Sequence, residues 1–310
     1  MKIFVAGHRG MVGSSIVKCL SSEGHDLITK NKSLLNLSDQ ESVNSFLKNH
    51  SPDVVINAAA KVGGINANNT YPAEFIYNNL IINANLVHSS FINNIPRFIN
   101  LGSSCIYPKE APQPLIESSL MTGPLEKTNE AYALAKICGL ELCRHYRKQY
   151  GVYYHSLMPT NLYGDNDNYN LQNSHVLPAL IRKFHEAKNK NLTSVQMWGT
   201  GKARREFLHA DDVANAVSFL LDKKELPDII NIGTGTDITI SDLASKISKT
   251  IGFKGGTIYN TGMPDGTMVK RLDMSIMNNL GWKPKISLDE GLKKTYKDFL
   301  FRYKNNILRK

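Results

Sequence analysis

The feature that most constrains the fold lies near the amino end, where an apolar run leads directly into a glycine-rich turn. Residues 2–6 read KIFVA and residues 7–13 read GHRGMVG. Such a turn between a strand and a helix lets the backbone approach a pyrophosphate, which N–H groups at the start of the helix then bind. The spacing is one residue longer than GxGxxG, and a tight turn without a ligand is the alternative. The residues predicted to hold a dinucleotide here are Gly7, Gly10, Met11, Val12 and Gly13.

Short apolar runs alternate with amphipathic stretches through the first half of the chain. The runs DVVINAAA (53–60) and RFINLGSS (97–104) are apolar on both faces, as strands buried inside a parallel sheet are. Helical patterns occupy 38–50, 72–94 and 129–150. This alternation predicts an α/β fold, a Rossmann-type doubly wound parallel sheet with a smaller C-terminal α/β substrate-binding domain.

The domain boundary is predicted where the chain becomes rich in loops and asparagine, at DNDNYNLQNS (165–174). Residues 1–164 would form the dinucleotide-binding domain, to which a segment near 206–236 returns. Residues 165–310 would mainly bind the substrate. This second part would overhang the carboxyl edge of the sheet, where open α/β sheets bind ligands.

Composition and charge exclude several classes of protein. No run of 18 apolar residues occurs, and the first apolar run is too short for a signal-peptide core, so we expect a cytoplasmic protein without a membrane span. Cysteines at 19, 105, 138 and 143 form neither a CxxC pair nor a zinc spacing, so no disulfide framework or metal site is expected. The net charge is +10, but the basic residues are spread along the chain. An anionic small substrate is therefore favoured over nucleic acid.

The region of the second strand indicates which nicotinamide cofactor binds. An NAD site usually ends this strand with Asp or Glu, which accepts a hydrogen bond from the ribose 2′-hydroxyl. Here HDLITKNKS (25–33) carries Lys30 and Lys32 with no acid at its end, and Arg9 lies inside the glycine-rich turn. These three cations favour the 2′-phosphate of NADP; solvated surface lysines are the alternative. Asp39 is predicted either to contact the adenine edge or to cap the helix that follows it.

A second group of residues points to carbonyl reduction. Tyr132 and Lys136 are four residues apart, which places them on one face of a helix. A neighbouring ammonium is expected to lower the pKa of the phenol and so to fit it for acid–base catalysis. Ser103, at the end of the intervening strand, can donate a hydrogen bond to the carbonyl oxygen. An exposed Tyr–Lys pair with an unrelated serine is the alternative.

The motifs GHRGMVG (7–13), NLGSSCIYP (100–108) and YALAK (132–136) resemble those of the extended short-chain dehydrogenase/reductases. Further matching stretches, from AAAKVGGI (58–65) to PDGTMVKRLD (264–273), extend the resemblance over nearly the whole chain. Within that family the match is to enzymes that epimerise GDP-4-keto-6-deoxy-D-mannose at C3 and C5 and reduce it at C4. The resemblance implies NADPH, a GDP-4-keto-6-deoxy sugar as substrate and a homodimer. It also implies cofactor contacts from Tyr132, Lys136, Pro159, Asn161, Leu162 and His175.

Two further residues point to epimerisation, which reduction alone does not need. The protons at C3 and C5 flank the carbonyl, and inversion needs one group to remove a proton and another to return it on the opposite face. Cys105 follows Ser103 by two residues, so an extended segment would point both side chains the same way. The resemblance implies that Cys105 and His175 form the acid–base pair. Taken alone, a buried apolar cysteine and a capping histidine are the more ordinary roles.

The resemblance also indicates which residues contact the nucleotide part of the substrate. It implies contacts with GDP from Lys183, Trp198 and Arg205, with Lys270 and Asp273 as weaker candidates. Lys183 stands where the family has arginine, and a lysine neutralises phosphate without the bidentate grip of a guanidinium. Arg182 is its neighbour in the sequence.

Two other functions stay open at this stage. One is a reductase without epimerase activity that acts on another GDP-4-keto-deoxy sugar, such as a heptose. The presence of both Cys105 and His175 argues against it. The other is a non-catalytic nucleotide-binding Rossmann protein, which has no need of Ser103, Tyr132 and Lys136.

Overall fold

The computed structural model describes residues 1–263 and 265–309. Pro264, which opens the 264–273 stretch, lies outside the described residues. The strands are β1 Lys2–Ala6, β2 Asp26–Ile28, β3 Val54–Asn57, β4 Arg97–Leu101, β5 Tyr153–Pro159, β6 Asn161–Tyr163, β7 Ser194–Trp198, β8 Arg204–Arg205, β9 Phe207–His209, β10 Ile229–Ile232, β11 Ile238–Thr239, β12 Gly256–Asn260 and β13 Val269–Lys270. The α-helices are α1 Met11–Ser22, α2 Gln40–His50, α3 Ile65–Thr70, α4 Pro72–Ile92, α5 Glu130–Tyr150, α6 Val176–Asn189, α7 Ala210–Leu221, α8 Ile240–Ile251, α9 Ser275–Asn279 and α10 Leu288–Lys304.

The centre of the fold is a six-stranded sheet in the order β10-β5-β4-β3-β1-β2, in which every neighbouring pair is parallel. The chain passes from β1 outward to β2 and then returns to the other side of β1 for β3. The winding therefore reverses between β1 and β3, and open α/β sheets bind ligands at such a crevice. The prediction of a Rossmann-type α/β fold is confirmed.

Helices cover both faces of this sheet, which is why most residues of its strands are apolar and buried. In β1, Ile3 and Val5 enter one core while Phe4 and Ala6 enter the other, as period-two alternation requires. Helices α1 and α7 line the first core, and α2 and α4 line the second. The carboxyl ends of all the central strands meet at one edge, which is where the predicted cofactor and reduction residues lie.

A third core belongs to the carboxyl-terminal part of the chain. Its buried side chains include Phe184 of α6, Leu243 of α8 and Phe299 of α10. Short strands lie around it, with β7 paired to β12 and β8 placed between β11 and β13. The segment near 206–236 returns to the first part, because α7 packs against α1 and β10 joins the central sheet. The boundary after residue 164 stays a prediction.

Candidate active site

The glycine-rich turn lies at the carboxyl end of β1, against the residues that follow β3. Gly7 has a φ of +81°, and a Cβ there would lie 2.6 Å from the Ala59 nitrogen. A Cβ on Gly13 would collide with the Gly7 carbonyl. Gly10 precedes α1 as its N-cap and offers no capping side chain. The turn thus forms a cradle that side chains would fill, beside the N–H groups of a helix start, and this fits a dinucleotide pyrophosphate.

The predicted cofactor-selecting cations lie beside this turn. Arg9, Lys30 and Lys32 are exposed, and the two lysines follow β2 at the sheet edge next to β1. Within residues 1–263 and 265–309 none of the three forms an ion pair, so their charges are available to a 2′-phosphate.

Asp39 caps a helix. It is the N-cap of α2, and its Oδ1 accepts hydrogen bonds from the backbone nitrogens of Glu41 and Ser42 at 3.1 and 3.2 Å. Hydrogen bonds from the Ser42 side chain and backbone lower the pKa of this carboxyl. The capping role is therefore present, and a contact with adenine stays a prediction.

The three predicted reduction residues converge where β4 ends. The Lys136 Nζ donates a hydrogen bond to the Leu101 carbonyl at 2.7 Å and lies 5.9 Å from the centroid of the Tyr132 ring. Burial lowers the pKa of Lys136 to about 8. Burial also raises the pKa of Tyr132, and a hydrogen bond with Ser103 only partly offsets this. The expected lowering of the phenol pKa is therefore wrong, because desolvation is the largest effect on it.

Cys105 lies in a short 3₁₀ turn, Ser104–Ile106, rather than in an extended segment. The Ser103 Oγ accepts a hydrogen bond from the Cys105 nitrogen at 3.2 Å, which closes the turn. The alternation argument for Ser103 and Cys105 is therefore wrong. Both side chains nevertheless act on the pKa of Tyr132, so the turn brings them to the same place. The Lys270 Nζ donates to the Cys105 Sγ at 3.6 Å, which places a cation beside the thiol.

His175 is the N-cap of α6, yet its side chain makes no capping hydrogen bond. The residue is exposed to solvent, and desolvation by the protein packed around the ring lowers its pKa. The ordinary capping role is therefore excluded for this side chain, and a role in catalysis stays a prediction.

The residues predicted to bind the nucleotide form two groups. In the first, the Lys183 Nζ lies 5.8 Å from the centroid of the Trp198 ring, which is 46% exposed. The Lys183 Nζ also donates to the Gln196 carbonyl at 3.3 Å, and burial lowers its pKa. Arg182 does not replace the expected arginine, because its guanidinium binds Glu186 at 2.7 Å and the Tyr169 carbonyl at 3.0 Å.

The second group lies beside the predicted catalytic residues. Arg205 and Lys270 are register partners in the parallel β8–β13 pair. Burial lowers the pKa of Arg205, and the nearby Cys105 opposes this. Its Nη2 donates to the Asp265 carbonyl at 3.3 Å. This strand pair therefore brings two cations to the Cys105 thiol.

Four other predicted residues have clear positions. Pro159 ends β5, and Asn161 and Leu162 follow in β6, at the carboxyl edge of the sheet. The Asn161 Nδ2 donates to the Glu206 carbonyl at 2.9 Å. The Asp273 Oδ1 accepts from the Ser275 nitrogen at 2.9 Å, which stabilises a local turn. Ligand contacts from these residues stay predictions.

No cluster of three or more His, Cys, Asp or Glu side chains suited to a metal ion occurs in 1–263 and 265–309. In the same ranges, each helix is too short or too polar to cross a membrane.

Comparison with known proteins identifies the family. The NAD dependent epimerase/dehydratase family matches residues 3–233. The chain belongs to this family. Membership confirms the predicted resemblance to the extended short-chain dehydrogenase/reductases, and it agrees with the parallel sheet and glycine-rich turn described above.

Individual members of the family match over nearly the whole chain. A Sinorhizobium fredii protein named GDP-L-fucose synthase is 50% identical, with 98% of this chain and 97% of that protein covered. An Escherichia coli protein of the same name is 48% identical, with 96% of each covered. The solved structure of a GDP-mannoheptose C4 reductase from Campylobacter jejuni with NADP bound is 38% identical, with a TM-score of 0.89 and 96% and 98% coverage.

Within this family fold, sequence reasoning missed two features of the site. Gly63 and Gly64 let the loop after β3 pack against the backbone that carries His175, and the Gly64 nitrogen donates to the Asn173 carbonyl at 2.8 Å. Glu206 is fully buried and accepts hydrogen bonds from the Gly235 and Leu272 nitrogens at 2.7 and 2.8 Å. The paired glycines were visible in the sequence as a possible close approach of backbones, whereas the role of Glu206 had no local signal.

Proposed function

We propose that this protein is a GDP-L-fucose synthase, which uses NADPH to convert GDP-4-keto-6-deoxy-D-mannose to GDP-L-fucose. Epimerisation at C3 and C5 precedes reduction at C4. The observation that carries the proposal is the Lys270–Cys105 contact beside Ser103, Tyr132 and Lys136. One site thus holds more acid–base groups than a simple reductase needs. The names of the Sinorhizobium fredii and Escherichia coli relatives support it.

In the reduction step, Tyr132 gives its proton to the C4 oxygen. Because burial raises its pKa, the phenol keeps this proton at neutral pH until the oxygen becomes basic. The Ser103 hydroxyl donates a second hydrogen bond to the same oxygen. Lys136, with a pKa of about 8, is charged at neutral pH and stabilises the phenolate that remains. NADPH supplies the hydride for this step.

In the epimerisation steps, Cys105 and His175 form the acid–base pair. Cys105 removes a proton from C3 or C5, and His175 returns one on the opposite face. Lys270 and Arg205 place positive charge beside the sulfur. The Ser103 and Tyr132 hydroxyls, which bind the C4 oxygen, stabilise the enolate that forms when the proton leaves.

The cofactor site follows from the cradle formed by Gly7, Gly10 and Gly13. N–H groups at the start of α1, from Met11 and Val12, would hold the pyrophosphate, and Arg9, Lys30 and Lys32 the 2′-phosphate. The NADP-bound Campylobacter jejuni relative supports this choice of cofactor. Asp39, Pro159, Asn161, Leu162 and His175 are the further proposed contacts.

The GDP part of the substrate would lie between the two basic groups. Trp198 offers an exposed ring for stacking, and Lys183 beside it offers a point charge rather than a bidentate grip. Arg205 and Lys270 would bind the diphosphate next to the reacting sugar. Asp273 is the most weakly supported member of the set, because its carboxylate already serves a local turn.

A cytoplasmic homodimer is part of the proposal. Helices α4 and α5 pack together, and large apolar side chains on them remain exposed in one chain. They are Tyr77, Ile92, Leu134 and Tyr150. A second copy of the chain that covers these residues would remove this apolar surface from water.

The decisive experiment separates epimerisation from reduction. In D₂O without NADPH, the wild type should exchange the C3 and C5 protons of the keto sugar, and Cys105→Ser should abolish this exchange, as followed by mass spectrometry. With NADPH, the variant keeps Ser103, Tyr132 and Lys136, so it should slowly give a reduced GDP-6-deoxyhexose without inversion. Product configuration is read by NMR.

Two results would contradict the proposal. If Cys105→Ser exchanges both protons at the wild-type rate and yields GDP-L-fucose, Cys105 is a packing residue and takes no part in proton transfer. If the wild type itself reduces the keto sugar without exchange, the protein is a C4 reductase, the activity in the name of the Campylobacter jejuni relative.

A further inference from the structure

The chain returns to the cofactor turn after the end of α10. The Tyr169 nitrogen donates a hydrogen bond to the Arg309 carbonyl at 3.0 Å, and Asn168 and Arg309 form an isolated β-bridge. The same loop touches the glycine-rich turn, because the Asn166 Nδ2 donates to the Arg9 carbonyl at 2.7 Å. Backbone contacts therefore hold Arg309 beside the proposed dinucleotide site.

The Arg309 side chain extends to that site. Its Nη1 lies 3.9 Å from the position that a Cβ on Gly10 would occupy, and Gly10 is the N-cap of α1. The side chain is exposed, and among residues 1–263 and 265–309 no carboxylate lies within 4.0 Å of its guanidinium. Arg309 is thus held by its backbone while its charge stays available.

One buried acid lies near enough to be a competing partner. Asp167 is 5% exposed, and its Oδ2 has no hydrogen-bond partner among the described residues. Burial raises the pKa of Asp167 to about 7, although the charge of Arg309 opposes this. Near neutral pH this carboxyl is therefore only partly ionised, so it neutralises the guanidinium incompletely.

We infer that Arg309 donates hydrogen bonds to the pyrophosphate of the bound dinucleotide. Gly10 has no side chain between the guanidinium and the start of α1, and a planar guanidinium matches phosphate oxygens in a bidentate way. Arg309 would thus add a full charge to a phosphate site otherwise made of backbone N–H groups. The inference rests on the cofactor part of the proposed function. It distinguishes Arg309 from Arg9, Lys30 and Lys32, which are assigned to the 2′-phosphate.

The test is a titration of the protein with NADPH and with NADH, followed by coenzyme fluorescence and without any sugar. Because both coenzymes carry the pyrophosphate, Arg309→Gln should raise both Kd values by the same factor, about five- to tenfold. Lys304→Gln removes the same charge from an exposed position on α10 and should leave both values unchanged. Lys30→Glu with Lys32→Glu should instead weaken NADPH more than NADH.

Competing fragments provide a second measurement. Arg309→Gln should weaken ADP-ribose, which has the pyrophosphate, and leave adenosine 2′-monophosphate unaffected. Unchanged Kd values for both coenzymes, or a loss confined to NADPH, would overturn the inference. Because no sugar is present, either result is independent of whether the protein epimerises or reduces GDP-keto sugars.

Discussion

At the residue scale, burial acts in opposite directions on the two partners of the reduction centre. It raises the pKa of Tyr132 and lowers that of Lys136 to about 8, since desolvation disfavours the charged form of each. The pair therefore rests as a neutral phenol beside an ammonium that is still charged at neutral pH. This is the state that a ketone reduction requires, because the phenol has a proton to give.

Tyr132→Phe should remove the proton donor and leave the ring in place against Phe75, its edge-to-face neighbour at 6.2 Å. We expect kcat for C4 reduction to fall about 10²-fold or more, as is typical when a general acid is lost. NADPH affinity and deuterium exchange at C3 and C5 should remain, which controls for folding. Stopped-flow absorbance at 340 nm measures the rate. Near-normal turnover by a folded variant would exclude Tyr132 as the proton donor.

At the element scale, the loop after β3 sets the position of the start of α6. A Cβ on Gly64 would collide with the Ser174 carbonyl, the residue directly before His175. The close approach of these two backbones therefore depends on an absent side chain. This loop directly follows β3, so the position of His175 depends on the central sheet.

Gly64→Ala should push residues 173–175 away and displace the His175 ring. Because misplacement by about 1 Å can cost 10²-fold in rate, we expect inversion at C3 and C5 to slow by about 10- to 100-fold. Gly256→Ala is the matched control, since a Cβ there would meet nothing within 4 Å. NMR of the product measures inversion. Equal loss in the two variants would mean that the contact does not position His175.

At the scale of the whole molecule, buried histidines make stability depend on pH. His155 is fully buried in β5, its two ring nitrogens have no hydrogen-bond partner within 1–263 and 265–309, and its pKa is lowered to about 3. Its unfolded pKa is near 6.5. The folded state must keep this ring neutral, so its stability is full above about pH 6.5 and is lost as the pH falls towards 3.

His155→Leu should flatten this dependence. At a pH of about 5.5, protonation of His155 in the unfolded state costs the wild type about 1.4 kcal/mol of unfolding free energy, and the variant avoids this loss. Buried acids such as Asp167 titrate in the opposite sense, so only the difference between the two proteins isolates the histidine. Urea denaturation at pH 7.5 and 5.5 measures the free energy of unfolding of each protein. If the wild type and the variant differ by the same amount at both pH values, His155 is not the source of the pH dependence.

The sequence by itself determined the features that depend on neighbouring residues. The strand, glycine turn and helix at residues 2–13, the alternation of strands and helices, and the Tyr132–Lys136 spacing all follow from local backbone geometry and periodicity. These features were enough to predict the Rossmann-type fold and the position of the dinucleotide turn. The pairing of Cys105 with His175 came from the family resemblance rather than from any local rule.

Only the tertiary structure decided which distant residues meet. Lys270 reaches Cys105 across 165 positions, Gly64 meets Ser174, and Arg309 returns to Gly10. Periodicity carries no information about such contacts, because they depend on how whole elements pack and on where loops close. The pKa of Tyr132 belongs to the same class, since the burial that raises it is created by packing.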